Sequence, residues 1–281
     1  MASSIDSLPP LKDVVAQYDV TARKDLGQNF LFDLNLTSKI ARAAGPLHEG
    51  TIIEIGPGPG GLTRGLLAEG AANLVVIERD SRCMPVLNDI SAAYPGRLTI
   101  LNDDATKIDV TRLGPAPRRI AANLPYNVGT LLLLQWLQHA DNYASFTLMF
   151  QKEVVDRIKA DVGSKAYGRL SVVTQWLCDV RPQFDIGPQA FHPPPKVTST
   201  VVRLDIKPGI FQANTAKALA SITQAAFGQR RKMLRSSLKS IMDPATLCTV
   251  AGVKETDRAE NVPVSAYVKM AEFLCKTQGI L

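Results

Sequence analysis

The feature that most narrows the fold is a glycine turn set between a short apolar run and an amphipathic one. Thr51-Ile-Ile-Glu-Ile55 lies between Gly50 and Gly56, and Gly61-Leu-Thr-Arg-Gly-Leu-Leu-Ala68 follows with apolar residues at helical spacing. That order predicts strand, turn and helix. The alternation repeats: residues 74–77, 98–101, 119–122 and 146–150 read as strands, with helical stretches at 84–93 and 131–139. Strands alternating with helices predict an α/β fold, a mostly parallel sheet covered on both faces, with ligands at the carboxyl ends of its strands.

Residues 170–180 and 196–206 are β-rich runs separated by Phe191-His-Pro-Pro-Pro195, where proline excludes helix. They predict an antiparallel hairpin that completes the sheet. Beyond Lys207-Pro208-Gly209 the β pattern stops, and 214–227, 230–241, 244–250 and 264–277 read as helices. The expected organisation is an N-terminal arm at 1–20, with 8–15 as a short helix or flexible, an α/β domain at 21–207 and a small all-helical domain at 208–281.

Hydrophobic residues make up 46% of the chain and charged ones 21%, which excludes a disordered or fibrous protein. The longest apolar stretches fall far short of the roughly 18 to 20 residues a membrane span needs, and residues 1–10 lack the charge and apolar core of a secretion signal. A cytoplasmic protein with no membrane partner is expected. Cys83, Cys178, Cys248 and Cys275 are widely spaced, without a CxxC pair and with three histidines in the chain, so no metal site is expected and the thiols are expected to be reduced and buried. The net charge of +6 is uneven: residues 208–281 carry ten lysines and arginines against five acidic residues, whereas the first 207 carry 22 against 21. This asymmetry suits either a polyanionic partner at the C-terminal part or a solvated helical domain.

Gly56-Pro-Gly-Pro-Gly-Gly61 matches GxGxxG at Gly56, Gly58 and Gly61. Glu78 follows 22 residues after Gly56, at the end of the second predicted strand, where a carboxylate accepts two hydrogen bonds from a ribose. The pair predicts an adenosine-containing cofactor and leaves nicotinamide nucleotide and S-adenosylmethionine both open. Pro57 and Pro59 remove backbone donors that a pyrophosphate would use, which disfavours the first. At the third strand tip, Asn102-Asp-Asp-Ala105, Asp104 is the candidate acceptor for an adenine amine, and capping of a helix start is the alternative role.

Asn123-Leu-Pro-Tyr126 follows the fourth predicted strand, at the same sheet edge. An adenine amine is a poor nucleophile because its lone pair is delocalised into the ring. Two acceptors that hold both of its N–H bonds localise that pair: the Asn123 side-chain oxygen and the Leu124 carbonyl, whose direction Pro125 fixes. Tyr126 offers a stacking face. Such a site catalyses in-line methyl transfer by positioning and local dipoles, with neither metal nor strong base.

Taken in order, Lys24-Asp-Leu-Gly-Gln-Asn-Phe-Leu31, Glu54-Ile-Gly-Pro-Gly58, Val76-Ile-Glu78, Asp103-Asp-Ala105, Asn123-Leu-Pro-Tyr-Asn127, Phe191-His-Pro-Pro-Pro-Lys-Val197 and Phe227-Gly-Gln-Arg-Arg-Lys232 resemble the ribosomal RNA adenine dimethyltransferases, in particular the bacterial members that act on small-subunit RNA. The resemblance implies a Rossmann-like class I S-adenosylmethionine-dependent methyltransferase with a seven-stranded sheet. It implies that Asn29 and Leu31 close over the cofactor, that Gly56 meets its methionine end, Glu78 its ribose and Asp104 its adenine, and that Asn123 touches both cofactor and target. Phe191 is then expected to stack on the target adenine opposite Tyr126; from the sequence alone it reads as a core aromatic. The implied product is N6,N6-dimethyladenosine at two adjacent adenosines near the 3′ end of the RNA, made on the immature small ribosomal subunit during ribosome biogenesis. Pro59 and Gly60 depart from the family's common glycine loop without affecting cofactor use.

Arg230, Arg231, Lys232, Arg235 and Lys239 have no acidic residue among them. On one continuous helix Arg231, Arg235 and Lys239 share a face that suits RNA phosphates. Rival readings are a large-subunit RNA methyltransferase of the antibiotic-resistance type, a non-catalytic ribosome assembly factor and, weakest, a nicotinamide oxidoreductase. Nothing in the sequence demands more than a monomer.

Overall fold

The computed structural model describes residues 6–23, 26–125 and 128–277. The chain divides into two compact units: one comprises residues up to 132 with 142–152 and 181–205, the other 133–141, 153–180 and the chain from 206 onward. The C-terminal helices thus share a unit with two earlier segments, 133–141 and 153–180.

In chain order the elements are α1 (Leu11–Gln17), β1 (Phe30–Leu31), α2 (Leu34–Ala44), β2 (Thr51–Ile55), α3 (Gly61–Ala68), β3 (Leu74–Ile77), α4 (Met84–Ala93), β4 (Leu98–Leu101), β5 (Arg118–Asn123), α5 (Gly129–Trp136), β6 (Ser145–Gln151), α6 (Lys152–Ile158), α7 (Arg169–Leu177), β7 (Cys178–Ile186), β8 (Phe191–His192), β9 (Ser199–Ile206), α8 (Ala213–Gly228), α9 (Leu234–Ser237), α10 (Pro244–Ala251) and α11 (Val264–Thr277).

Seven strands form one sheet in the order β4-β3-β2-β5-β6-β9-β7. The pairs β3–β4, β2–β3, β2–β5 and β5–β6 are parallel, and β9 runs antiparallel to β6. β2 and β3 are buried throughout, as central strands covered on both faces are; β3 is wholly apolar, while β2 carries Thr51 and Glu54 among its isoleucines. From β2 the chain winds to one side through β3 and β4 and then to the other through β5 and β6. The strand order thus reverses at β2, where doubly wound sheets bind ligands.

Three expectations about elements fail. Residues 169–177 are helical, and the strand begins only at Cys178. Val172, Val173, Trp176 and Leu177 bury one helical stripe, and a short apolar run of this kind fits either period until packing chooses. Phe191-His192 pairs with β1, Leu31 opposite Phe191, instead of remaining a plain connection. Residues 230–241 do not form one helix: only Leu234–Ser237 is α-helical. Met233 forms an antiparallel bridge with Arg258, Leu234 N–H donates to Asp257 O at 2.9 Å and Arg235 N–H to Glu255 O at 3.0 Å, so long-range partners take the donors that a continuous helix would use.

The segment expected as an arm carries α1, whose Leu11 and Val14 join the hydrophobic core of the first unit. In the second unit α11 packs on α7, α8 and α10. The buried Tyr167 and Tyr267 hydroxyls donate to Val262 O at 3.0 Å and Ala259 O at 2.9 Å, which satisfies both polar tips. All four cysteines are buried, and no disulfide joins them. Among the described residues no helix is long and apolar enough to cross a membrane, and no group of three or more His, Cys, Asp or Glu side chains is placed to hold a metal ion.

Candidate active site

The carboxyl ends of β2, β3 and β5, with the loop that follows β4, surround a cavity within the first unit. Its lining comprises residues 26–31, 54–59, 77–79, 103–106 and 123–125, together with Gly61, Leu62, Val128, Leu132 and Phe191. Asn29, Leu31, Gly56, Gly58, Glu78, Asp104, Asn123, Leu124, Pro125 and Phe191, all expected from the sequence, meet there. Tyr126 lies outside the described residues.

The glycine loop shapes one wall. Gly56 and Gly58 have φ of +67° and +55°, conformations that L side chains rarely adopt. A Cβ at Gly58 would come within 3.1 Å of the Phe30 ring, while at Gly56 no protein atom lies within 4 Å of that position. The loop is thus tight at Gly58 and open at Gly56, a cradle into which a ligand can approach the backbone.

Glu78, 4% exposed, anchors the next wall. One carboxylate oxygen accepts from Gly58 N–H and the other from Asp80 N–H, each at 2.8 Å. Burial raises its pKa, opposed by those two hydrogen bonds. The tips of β3 and β4 are laced together: Asn102 Nδ2 and Asp103 N–H both donate to Glu78 O, at 2.8 and 3.1 Å. Asp104 accepts from Thr106 N–H at 2.9 Å and from the Thr106 hydroxyl at 2.7 Å, bonds that lower its pKa. It therefore serves as a turn cap while facing the cavity.

At the end of β5, Asn123 Nδ2 donates to Asn29 O at 3.1 Å, and Asn29 Nδ2 donates to Gly27 O at 3.2 Å. Since the amide nitrogen is engaged, the Asn123 Oδ1 is the end left to accept. Pro125 O accepts from the N–H groups of Val128 and Gly129, both at 3.1 Å, as α5 begins. Phe191 is 4% exposed and belongs to the hydrophobic core cluster while it lines the cavity.

Two residues without an expected role complete the site. Glu54, 1% exposed, accepts from Thr63 Oγ1 at 2.7 Å; burial pushes its pKa up to about 8, with the neighbouring Glu78 charge adding to the rise. A lone carboxylate inside an apolar strand was the available signal. Gln28 Nε2 donates to Asp80 Oδ2 at 3.0 Å, and Asp80 has a lowered pKa chiefly because Arg82 binds it.

In the second unit the basic residues separate. Arg230 donates to Glu260 Oε2 at 2.7 Å and to Ser164 O at 3.3 Å, so an internal partner holds it. Arg231, Lys232, Arg235 and Lys239 are exposed, but on a turn, a short helix and the turn after it, not on one helical face. The bridge at Met233 adds the exposed Arg258, which the linear sequence places far from the run.

A switch-point cavity with a glycine cradle and a buried carboxylate at the tip of β3, in a seven-stranded sheet where β9 runs antiparallel to β6, defines a Rossmann-like class I S-adenosylmethionine-dependent methyltransferase fold. A crystal structure of a dimethyladenosine transferase from Plasmodium falciparum is similar, with a TM-score of 0.74 and 25% identity over 89% of this chain and 98% of that one. The 23S rRNA methyltransferase ErmE shares the fold, with a TM-score of 0.65 and 23% identity over 88% and 99% of the two chains. Ribosomal RNA small subunit methyltransferase A of Rhodospirillum rubrum is 59% identical over 266 residues, 95% of this chain and 92% of that protein. The family model for ribosomal RNA adenine dimethylase matches residues 20–276, and the chain belongs to that family.

Proposed function

We propose that this chain dimethylates the N6 nitrogens of two adjacent adenosines near the 3′ end of small-subunit (16S) ribosomal RNA, with S-adenosylmethionine as methyl donor. The observation that carries this reading is the Asn123 amide, oriented by its bond to Asn29 O so that an acceptor remains at the cavity edge. When bound, S-adenosylmethionine supplies a methyl group made electrophilic by its sulfonium.

Asn29, Leu31, Gly56, Gly58, Glu78, Asp104 and Asn123 hold the cofactor. A carboxylate oxygen offers two lone pairs, so Glu78, with one backbone N–H on each oxygen, retains one per oxygen for the two ribose hydroxyls. The target adenine leaves its stack to enter the site, which favours looped RNA over continuous duplex. Asn123 Oδ1 and Leu124 O take the two amine hydrogens, Pro125 fixes the second acceptor, and Tyr126 and Phe191 stack on the base. The nitrogen lone pair forms the new N–C bond, the C–S electrons return to sulfur, and the ammonium then loses its proton to water. Positioning and aligned dipoles supply the rate.

Arg231, Lys232, Arg235 and Lys239 contact phosphates of the immature small subunit, with Arg230 holding their loop. The protein works as a monomer in the cytoplasm. Family membership and the identity to the R. rubrum protein support the substrate assignment. The test is transfer of labelled methyl groups to immature small subunits, with dimethyladenosine mapped on small- and large-subunit RNA: the parent modifies the former and Asn123→Ala does not. Label on large-subunit RNA, or none with the parent, overturns the reading.

A further inference from the structure

The helix that follows the glycine loop carries an arginine in an unusual place. Arg64 on α3 is 2% exposed, and its partners come from the start of the chain, outside the family match that begins at residue 20. Its guanidinium forks onto the Asp6 carboxylate, with Nε donating to Oδ2 at 2.7 Å and Nη2 to Oδ1. Nη1 donates to Pro9 O at 2.7 Å and Nη2 also to Leu8 O at 3.2 Å. The Asp6 side chain is 3% exposed, so both charges leave water and bind each other bidentately.

This anchor begins a series of contacts that reaches the cavity. Leu11 of α1 lies 3.3 Å from where a Cβ on Gly61 would stand, the residue that opens α3. Tyr18 donates its hydroxyl to Asp89 of α4 at 2.6 Å, and Val20 is fully buried. Arg23 N–H donates to Gln28 Oε1 at 2.9 Å and Gln28 N–H returns a bond to Arg23 O at 3.2 Å. Gln28 reaches Asp80, whose own N–H holds Glu78. The segment thus binds the two helices beneath the glycine loop and ends on the cavity wall at 26–31.

We infer that Arg64 is a positioning residue for the cofactor site: by pinning Asp6 it fixes residues 6–23 as a strap that holds the wall at 26–31 in its binding geometry. The inference rests on the reading of this cavity as the S-adenosylmethionine site. Preorganising a wall lowers the ordering cost of binding; once the cofactor is bound it holds the wall itself, so Asn29 O still orients Asn123 and the chemical step is little changed. Asp6→Asn and Arg64→Met therefore raise the Kd for S-adenosylhomocysteine and the KM for S-adenosylmethionine roughly tenfold, within the span usual for coupling between sites, while kcat stays within about twofold. Asp6→Glu restores most of the affinity.

Calorimetric titration, steady-state kinetics and amide hydrogen exchange at 26–31 read these effects. A lower Tm with Kd, KM and exchange unchanged, or a loss confined to kcat, overturns the inference. Should both buried-charge variants fail to fold, Tyr18→Phe decides: it releases the strap at its exposed end, with faster exchange at 26–31 and a smaller rise in Kd expected, and no change counts against the strap. If the parent binds no S-adenosylhomocysteine, the cofactor reading fails, and exchange at 26–31 in the ligand-free variants still decides the strap.

Discussion

Asn123 and Asn29 are joined across 94 residues by one hydrogen bond, amide nitrogen to carbonyl oxygen at 3.1 Å. It couples the wall at 26–31 to the tip of β5 and settles which end of the Asn123 amide accepts. On the proposed mechanism Asn123→Ala removes an acceptor used in the transition state, so kcat is expected to fall about 10²- to 10³-fold. Affinity for S-adenosylhomocysteine changes far less. Asn123→Asp keeps an acceptor but sets a carboxylate against Asn29 O, so affinity and rate both fall. Single-turnover methylation with equilibrium cofactor binding separates the two variants.

Phe191 faces two demands, since it is buried in the core, backbone-paired with Leu31, and lines the cavity. Phe191→Ala is expected to cost about 3–5 kcal/mol of stability as a cavity is left, which obscures any catalytic role. Phe191→Leu keeps most of the apolar volume, at a cost of about 1–1.5 kcal/mol, and removes the ring. If the ring stacks on the target adenine, a contact worth about 1–3 kcal/mol per base, Phe191→Leu raises the KM for RNA or lowers kcat at least about fivefold at nearly unchanged Tm. Unchanged kinetics would assign Phe191 to packing alone.

The sheet and the site differ in how legible they are in the sequence. β2, β3 and β4 can be read to the residue because glycine, arginine or asparagine bounds each apolar run and both faces of the central strands are buried. Asn123 and the cluster of Gly56, Gly58 and Glu78 are equally readable, since a strand end followed by a turn is a local signal. Residues 170–177 are not: Leu-Ser-Val-Val-Thr-Gln-Trp-Leu fits either period, and packing within the second unit decides. The basic run fails for a related reason, because the backbone partners of Met233, Leu234 and Arg235 lie 20 to 25 residues away. Arg64 shows the same limit more sharply. Nothing within the run 61–68 marks it as buried, because its partner Asp6 lies 58 positions earlier.

The separation within the basic run yields a discriminating pair of variants. Arg231 is exposed, whereas Arg230 is tied to Glu260 and Ser164 O. Arg231→Ala is expected to weaken RNA binding, with a log–log salt slope shallower by about one charge, and to leave Tm unchanged. Arg230→Ala acts first on the fold: a small drop in Tm, limited by the partial exposure of the pair, accompanies any loss of binding. Filter binding across salt concentrations, read beside thermal melts, distinguishes them; identical salt slopes and melts for the two variants would refute the assignment.

Glu54 makes the site sensitive to pH in a direction that can be worked out. Its folded pKa, about 8, lies above the ordinary glutamate value of 4.5, so folding takes up a proton between those values. The stability this contributes is complete below about pH 4.5 and declines as pH rises toward 8, at about 1.4 kcal/mol per pH unit at most. Glu54→Gln cannot ionise and keeps a hydrogen-bonding end for Thr63, so its stability should exceed that of the parent increasingly from pH 6 to 9 in denaturant titrations. Cofactor binding runs the other way. On the proposed reading S-adenosylmethionine brings a net positive charge into the cavity that Glu54 lines, its ammonium and sulfonium outweighing its one carboxylate, which favours the Glu54 carboxylate. Binding should therefore release a proton near pH 7, and affinity should rise as pH approaches 8. Calorimetry in buffers of different ionisation enthalpy measures that proton; Glu54→Gln should lose both the release and the pH dependence, and a variant that retains them would place the titrating group elsewhere.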